Sequence, residues 1–194
     1  MKKINSYIKL LSICLGLLTQ FESLSQVGVG PAPYCMPAYS STPCNQPNPS
    51  NNAANFINDF IDDFNTSGAT SNITDNNTGC QAQTLFGNIE DYYKVACANG
   101  KYLRVLPGQV ITCNFRSGII FDQGFAVYVD WNQNGIFDPS EQVCATPGIP
   151  IAASLATEFF TVPAAQPNGS YRMRVRCAYF TAGISIDPCI QYGF

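Results

Sequence analysis

The stretch Asp130-Trp-Asn-Gln-Asn-Gly-Ile-Phe-Asp-Pro-Ser-Glu141 sets oxygen donors at the spacing of a twelve-residue calcium loop. Calcium is a hard cation that takes oxygen ligands. The side chains of Asp130, Asn132 and Asn134, the carbonyl of Ile136, then Asp138 and a bidentate Glu141 would supply them around the sharp turn at Gly135. Three carboxylates make such a site moderately charged, so the affinity would be roughly micromolar to millimolar, suited to an extracellular milieu. The competing reading is a hairpin turn at Asn134-Gly135 flanked by solvated acids. The run FAVYVDW (125–131) before the loop is strand-like, so the helices that flank such a loop in an EF-hand are absent and a β fold would carry it.

Sulfur is the second reactive element. Lys2, Lys3 and Lys9 precede an apolar run from Leu10 to Leu18, and a small Ser25 precedes Gln26, which fits a secretory signal peptide over residues 1–25. That run is too short to span a bilayer, no other segment is long and apolar enough, and bulky Ile13 before Cys14 speaks against a lipoprotein site. Beyond Cys14, Cys35, Cys44, Cys80, Cys97, Cys113, Cys144, Cys177 and Cys189 form an even set that reads as disulfides in an exported chain. Short loops favour Cys35 with Cys44 and Cys177 with Cys189. No C-x-x-C spacing occurs, which argues against a cysteine metal site.

Composition excludes other chemistries. The 194 residues contain no histidine, which removes a histidine base, a Ser-His or Cys-His nucleophile pair and imidazole ligands for zinc. The formal charge is −3, and without residues 1–25 the chain holds 7 basic and 12 acidic side chains, a poor footprint for nucleic acid. The carboxylates left for a two-acid glycosidase are Glu90, Asp91, Asp62, Asp63 and Glu158. Neighbours such as Glu90 and Asp91 point to opposite faces of a strand, so no catalytic pair assembles. Neither a nucleophile elbow nor a phosphate-binding glycine loop is present; Gly28 and Gly30 lack a following helix.

The elements that must position the loop read as strands. Charged residues make up 12% of the chain, while Gly, Pro, Asn, Thr and Tyr are plentiful. Residues 26–52 are a Pro/Ser/Asn-rich leader, and 53–194 form the domain. FINDFIDDF (56–64) has helical spacing, against which its aromatic and β-branched content pulls toward a strand. KYLRVL (101–106), QVITCNF (109–115), FAVYVDW (125–131), TEFFTV (157–162) and SYRMRVRCAYF (170–180) alternate with period two between Gly, Pro and Asn clusters. These predict an all-β, antiparallel, disulfide-stabilised β-sandwich of jelly-roll or immunoglobulin-like kind. In the last run Tyr171, Met173, Val175, Cys177 and Tyr179 share one face. Arg172, Arg174 and Arg176 share the other, expected in solvent or against carboxylates.

Tyr34-Cys35, NTSGATSNITDNNTGC (65–80), YVDWNQNGIFDPSE (128–141), FTVP (160–163), SYRMRVRCAYF (170–180) and DPC (187–189) together resemble the GEVED domain, over about residues 34–194. That resemblance implies a noncatalytic β-sandwich with a calcium-binding acidic loop, found in secreted and surface proteins of Bacteroidota. It also implies a strand for FINDFIDDF. The chain departs from the family after Tyr192-Gly193. A Glu-x-Glu-Asp-Tyr motif and a final strand would follow there, and Phe194 stands instead, so an expected last strand is missing. Asn88-Ile-Glu-Asp-Tyr-Tyr93 looks like that motif but precedes the acidic loop.

The resulting expectation is a secreted module, in the periplasm, at the cell surface or outside the cell. It would bind calcium and serve adhesion or the binding of a surface glycan or protein, without catalysis, nucleic acid or a transmembrane segment. Trp131 and Tyr128 are the candidate ligand contacts, with Tyr92 and Tyr93 behind them. The alternatives are an interaction subunit completed by a partner strand and the histidine-free glycosidase.

Overall fold

The computed structural model describes residues 34–35, 60–77 and 102–190. The signal segment, nearly all of the leader, Tyr92, Tyr93, Glu90, Asp91, Cys44, Cys80 and Cys97 lie outside the described residues. Seven strands are described: β1 (Ile61–Ser67), β2 (Thr74–Asp75), β3 (Val110–Ser117), β4 (Gln123–Val129), β5 (Gln142–Ala145), β6 (Ala156–Thr161) and β7 (Met173–Tyr179). They form two antiparallel sheets, in the orders β2-β1-β3-β6 and β5-β4-β7. The described residues contain no α-helix, only single 3-10 turns at Pro139–Glu141 and Gly183–Ser185. None of them forms a helix long and apolar enough to cross a membrane.

The expected all-β sandwich is therefore the fold, and the alternation of side chains explains its core. Phe64, Ile111, Cys113 and Phe115 of the larger sheet meet Phe125, Val127, Cys144 and Cys177 of the smaller one in a single buried cluster. Phe115 and Phe125 stack across it at 5.1 Å between ring centroids. The strand implied for FINDFIDDF is present from Ile61, and it carries Phe64 into this core.

Every residue of β4 is buried, which alternation alone does not foretell. The reason is a second layer on the outer face of β4 and β7. There Ala126, Tyr128 and Ala178 pack with Phe137, Ile186 and Tyr34. The cover is the segment after β7 together with Tyr34-Cys35, pinned by a disulfide between Cys35 and Cys189 whose Cα atoms are 5.6 Å apart.

That layer corrects two expectations, and a third fails elsewhere in the chain. The disulfide joins Cys35 to Cys189, so neither short-loop pairing, Cys35 with Cys44 or Cys177 with Cys189, occurs. Cys177 sits on the inner face of β7 as a buried thiol, and the chain folds back over the outer face. Arg174 and Arg176 are buried beneath the returning segment rather than solvated. Arg174 donates to the carbonyls of Pro188 (2.7 Å) and Cys35 (2.6 Å), and Arg176 to those of Asp187 (2.8 Å) and Ile190 (2.7 Å). Finally, KYLRVL contributes no strand from Tyr102 to Leu106; Arg104 alone bridges to Ser71. Tyr102, Arg104 and Leu106 stay exposed, and the turn at Pro107-Gly108 ends the run.

Candidate functional site

The acidic loop leaves the end of β4 and returns through the turn at Pro139–Glu141 into β5. Asp130 continues the β4 line, its N–H donating to the carbonyl of Arg172 at 2.9 Å, which fixes the loop's first position against the chain entering β7. Gly135 has φ +83°, a left-handed turn that glycine adopts without cost. Gln133 is also left-handed, at φ +58°, and its side-chain amide is tied to the carbonyl of Ser170 at 2.9 Å.

Backbone N–H groups organise the carboxylates. Asp130 is fully buried; its Oδ1 accepts from Asn134 N at 3.2 Å and its Oδ2 from Gly135 N at 3.0 Å. A buried charge requires such partners. Glu141, also buried, accepts from Trp131 N (3.0 Å) and Asn132 N (3.4 Å) through Oε1, and from Asp138 N (3.0 Å) through Oε2. Both of its oxygens thus accept from the loop's own backbone. Glu141 thereby braces the loop from within and caps the 3-10 turn, and its carboxylate, with about four lone-pair sites, keeps capacity to accept a cation as well.

Asn132, Asn134 and Asp138 converge at the outer side. Asp138 Oδ2 accepts from Asn132 Nδ2 at 3.3 Å and Asn134 Nδ2 at 3.2 Å. The two amide oxygens accept N–H groups of the loop, Asn132 Oδ1 from Asn134 N (2.9 Å) and Asn134 Oδ1 from Ile136 N (2.8 Å). These are Asx turns, in which a short polar side chain holds the backbone two residues on. Among the described residues no three acidic or cysteine side chains are gathered to hold a metal ion. The residues that could hold a cation are Asp130, Asn132, Asn134, Asp138 and Glu141 through side-chain oxygens, with the Ile136 carbonyl.

One residue of the site escaped the sequence reading. Tyr34 donates its hydroxyl to Asp130 Oδ2 at 2.5 Å, with its ring 4.9 Å from that of Phe137 and the Arg172 guanidinium 5.5 Å above it. Burial, then the hydrogen bond and negative charge of Asp130, push the Tyr34 hydroxyl well above the ordinary tyrosine value. Only the Tyr34-Cys35 pair pointed there, and no local spacing rule connects positions so far apart.

The two candidate ligand contacts separate. Tyr128 is buried, its hydroxyl donating to the Ile186 carbonyl and accepting from Gln142 Nε2 at 2.8 Å, so it offers no face to a ligand. Trp131 is half-buried against the main core, 5.3 Å from the Tyr171 ring, and its carbonyl accepts from Gln166 at 2.9 Å.

Neither a curated protein nor a solved structure matches this chain significantly. The resemblance suggested by the motifs extended over about residues 34–194, whereas the matched region begins in β4 and leaves β1 to β3 outside it. Residues 124–194 match the family model of the GEVED domain, so this stretch, which contains the acidic loop and all of β5 to β7, belongs to the GEVED domain family.

Proposed function

We propose that this chain is an exported, noncatalytic binding module whose acidic loop takes calcium as a structural ion, and whose role is adhesion or the binding of a glycan or protein outside the cell. The observation that carries the calcium reading is the meeting of Asn132, Asn134 and Asp138 at the outer side of the loop that Asp130 and Glu141 already brace. A cation there would turn two amide oxygens outward and neutralise Asp138. Its affinity would be weak, on the order of micromolar to millimolar, because three carboxylates make the site only moderately charged.

Absence of catalysis is supported by the placement of the acids. Asp63 pairs in register with Arg116, its Oδ2 3.2 Å from Arg116 Nη1, while Glu158 lies beside Cys113. Since Cys113 faces the core and Arg116 alternates away from it, Asp63 and Glu158 leave opposite faces of the sheet and share no site.

A binding role is supported by the opposite end of the sandwich. Three loops, 118–122, 146–155 and 180–186, are joined there by hydrogen bonds such as Ala153 N to Gly118 O (3.2 Å) and Phe180 N to Asp122 O (3.0 Å). They hold Ile119, Ile151, Phe180 and Ile184 at 60% exposure or more, and exposed apolar clusters of this kind mark interaction surfaces. The test is a calorimetric calcium titration of the full chain against Asp138→Asn. Saturable binding abolished by the substitution supports the reading, and no calcium heat in the parent chain contradicts it.

A further inference from the structure

Two buried thiols face each other across the core. Cys113 lies in the middle of β3, in register with Thr66 of β1 and Glu158 of β6. Cys144 lies on β5 of the other sheet, in register with Val127. Both belong to the single cluster between the sheets, at 0% and 7% exposure, on the side where β5 packs against β6. The neighbouring Cys113 thiol, then burial and the nearby Glu158 carboxylate, push the Cys144 thiol far above the usual thiol range. Cys177 is a third buried thiol in the same interior, one row along, in register with Phe125.

We propose that Cys113 and Cys144 are a cross-linking site, joined as a disulfide that staples the two sheets through the core. The covalent link between Cys35 and Cys189 on the outer layer is the precedent within this chain. Both side chains enter the same interior cluster from facing sheets, and a disulfide between them requires Cα atoms within about 7 Å.

The oxidant is an external disulfide, RSSR, of small-molecule or protein class. The Cys113 thiolate attacks one sulfur and releases RS⁻, leaving a mixed disulfide. The Cys144 thiolate then attacks the Cys113 sulfur and releases the second RS⁻. The two protons of the cysteines end on the two released thiolates, so the chain is oxidised by two electrons and RSSR becomes two RSH. Because both sulfurs are buried and the thiolate of Cys144 is disfavoured once the sheets close, exchange happens while the core is still open. The finished bond is then shielded from reductant. This inference is independent of calcium.

The test uses the full chain produced into an oxidising compartment, denatured without reductant in the presence of a thiol-alkylating agent, digested and mapped by mass spectrometry. The expected result is a Cys113–Cys144 linked peptide pair, released only by reduction, separate from the Cys35–Cys189 pair. Alkylation of Cys113 and Cys144 without reduction overturns the proposal, as does either sulfur joined to a different cysteine. Cys113→Ala, which replaces the thiol by a smaller apolar group, is expected to make Cys144 alkylatable and leave the other cysteines unchanged. A Cys144 still blocked in that variant also overturns it. In case Cys113→Ala fails to accumulate, Cys144→Ala gives the reciprocal readout at Cys113.

Discussion

The hydroxyl of Tyr34 donates to Asp130 Oδ2 across 96 positions of sequence, so the first described residue of the chain is bonded to the first residue of the acidic loop. The Cys35–Cys189 disulfide follows immediately and ties the same segment to the chain beyond β7. The loop is thereby framed by residues that precede β1 and residues that follow β7.

Removing the Tyr34 hydroxyl leaves a buried carboxylate one donor short. Tyr34→Phe is expected to cost about 1–2 kcal/mol in urea unfolding near neutral pH, since hydrogen bonds to charged groups are worth more than neutral ones. The folded-state value of Tyr34 is raised above the ordinary 10.0, so its contribution is fully present below pH 10.0 and is lost as the pH climbs past it. The gap between parent and Tyr34→Phe should therefore close as unfolding is followed from neutral pH into strong alkali.

Arg174 is a stability prediction of a different kind. It is buried, donates to two backbone carbonyls from separate segments and sits 4.7 Å from the centroid of Phe137. Arg174→Ala strands those carbonyls and is expected to lower stability by about 2–4 kcal/mol in denaturant titration. Arg174→Lys should recover only part of this, because an ammonium on a flexible stem does not reproduce the guanidinium fork.

Glu158 should act in the opposite direction. Burial raises its carboxyl above the usual 4.5, so its ionised form is tolerated less well in the folded chain than in the unfolded one. Stability from this group is complete below pH 4.5 and declines as the pH rises through the folded value. Glu158→Gln is expected to raise the melting temperature slightly near neutral pH, by about 1–2 °C after allowance for solvent screening, with no gain in acid. Calorimetric scans at the two pH values check it.

Gly183 carries a steric prediction. A Cβ there would lie 2.1 Å from the Phe125 carbonyl oxygen and 2.6 Å from Thr146 N, both backbone atoms that cannot swing aside. Gly183→Ala is expected to destabilise by about 2–4 kcal/mol, read as a lower denaturation midpoint with an unchanged slope.

What the sequence disclosed follows how local the responsible physics is. QVITCNF, TEFFTV and the MRVRCAY portion of SYRMRVRCAYF became strands because period-two alternation is a property of each segment by itself. KYLRVL alternates as well, but alternation does not ensure a partner, and Arg104 found only Ser71. The short β5 hid in the end of the acidic loop, and the burial of Arg174 and Arg176 could be known only once the chain was seen to return over β7. The disulfide was missed for the same reason, since short sequence separation was the wrong guide to a pair 154 positions apart. In the candidate site, the donor residues were legible from spacing, while the inward turn of Glu141 depends on which backbone N–H groups the fold leaves free.

The most direct test of calcium as a structural ion is thermal unfolding of the full chain with calcium titrated against chelator, in parallel with Asp138→Asn. Asp138 is the position tested because its Oδ2 accepts from the Asn132 and Asn134 amides at the outer side of the loop, where a cation would take their place. Binding to the folded state alone raises stability with the logarithm of free calcium above its dissociation constant. The account predicts a melting temperature that climbs with calcium in the parent chain and stays flat in Asp138→Asn. A parent chain that melts at the same temperature in millimolar-range calcium and in chelator would contradict it.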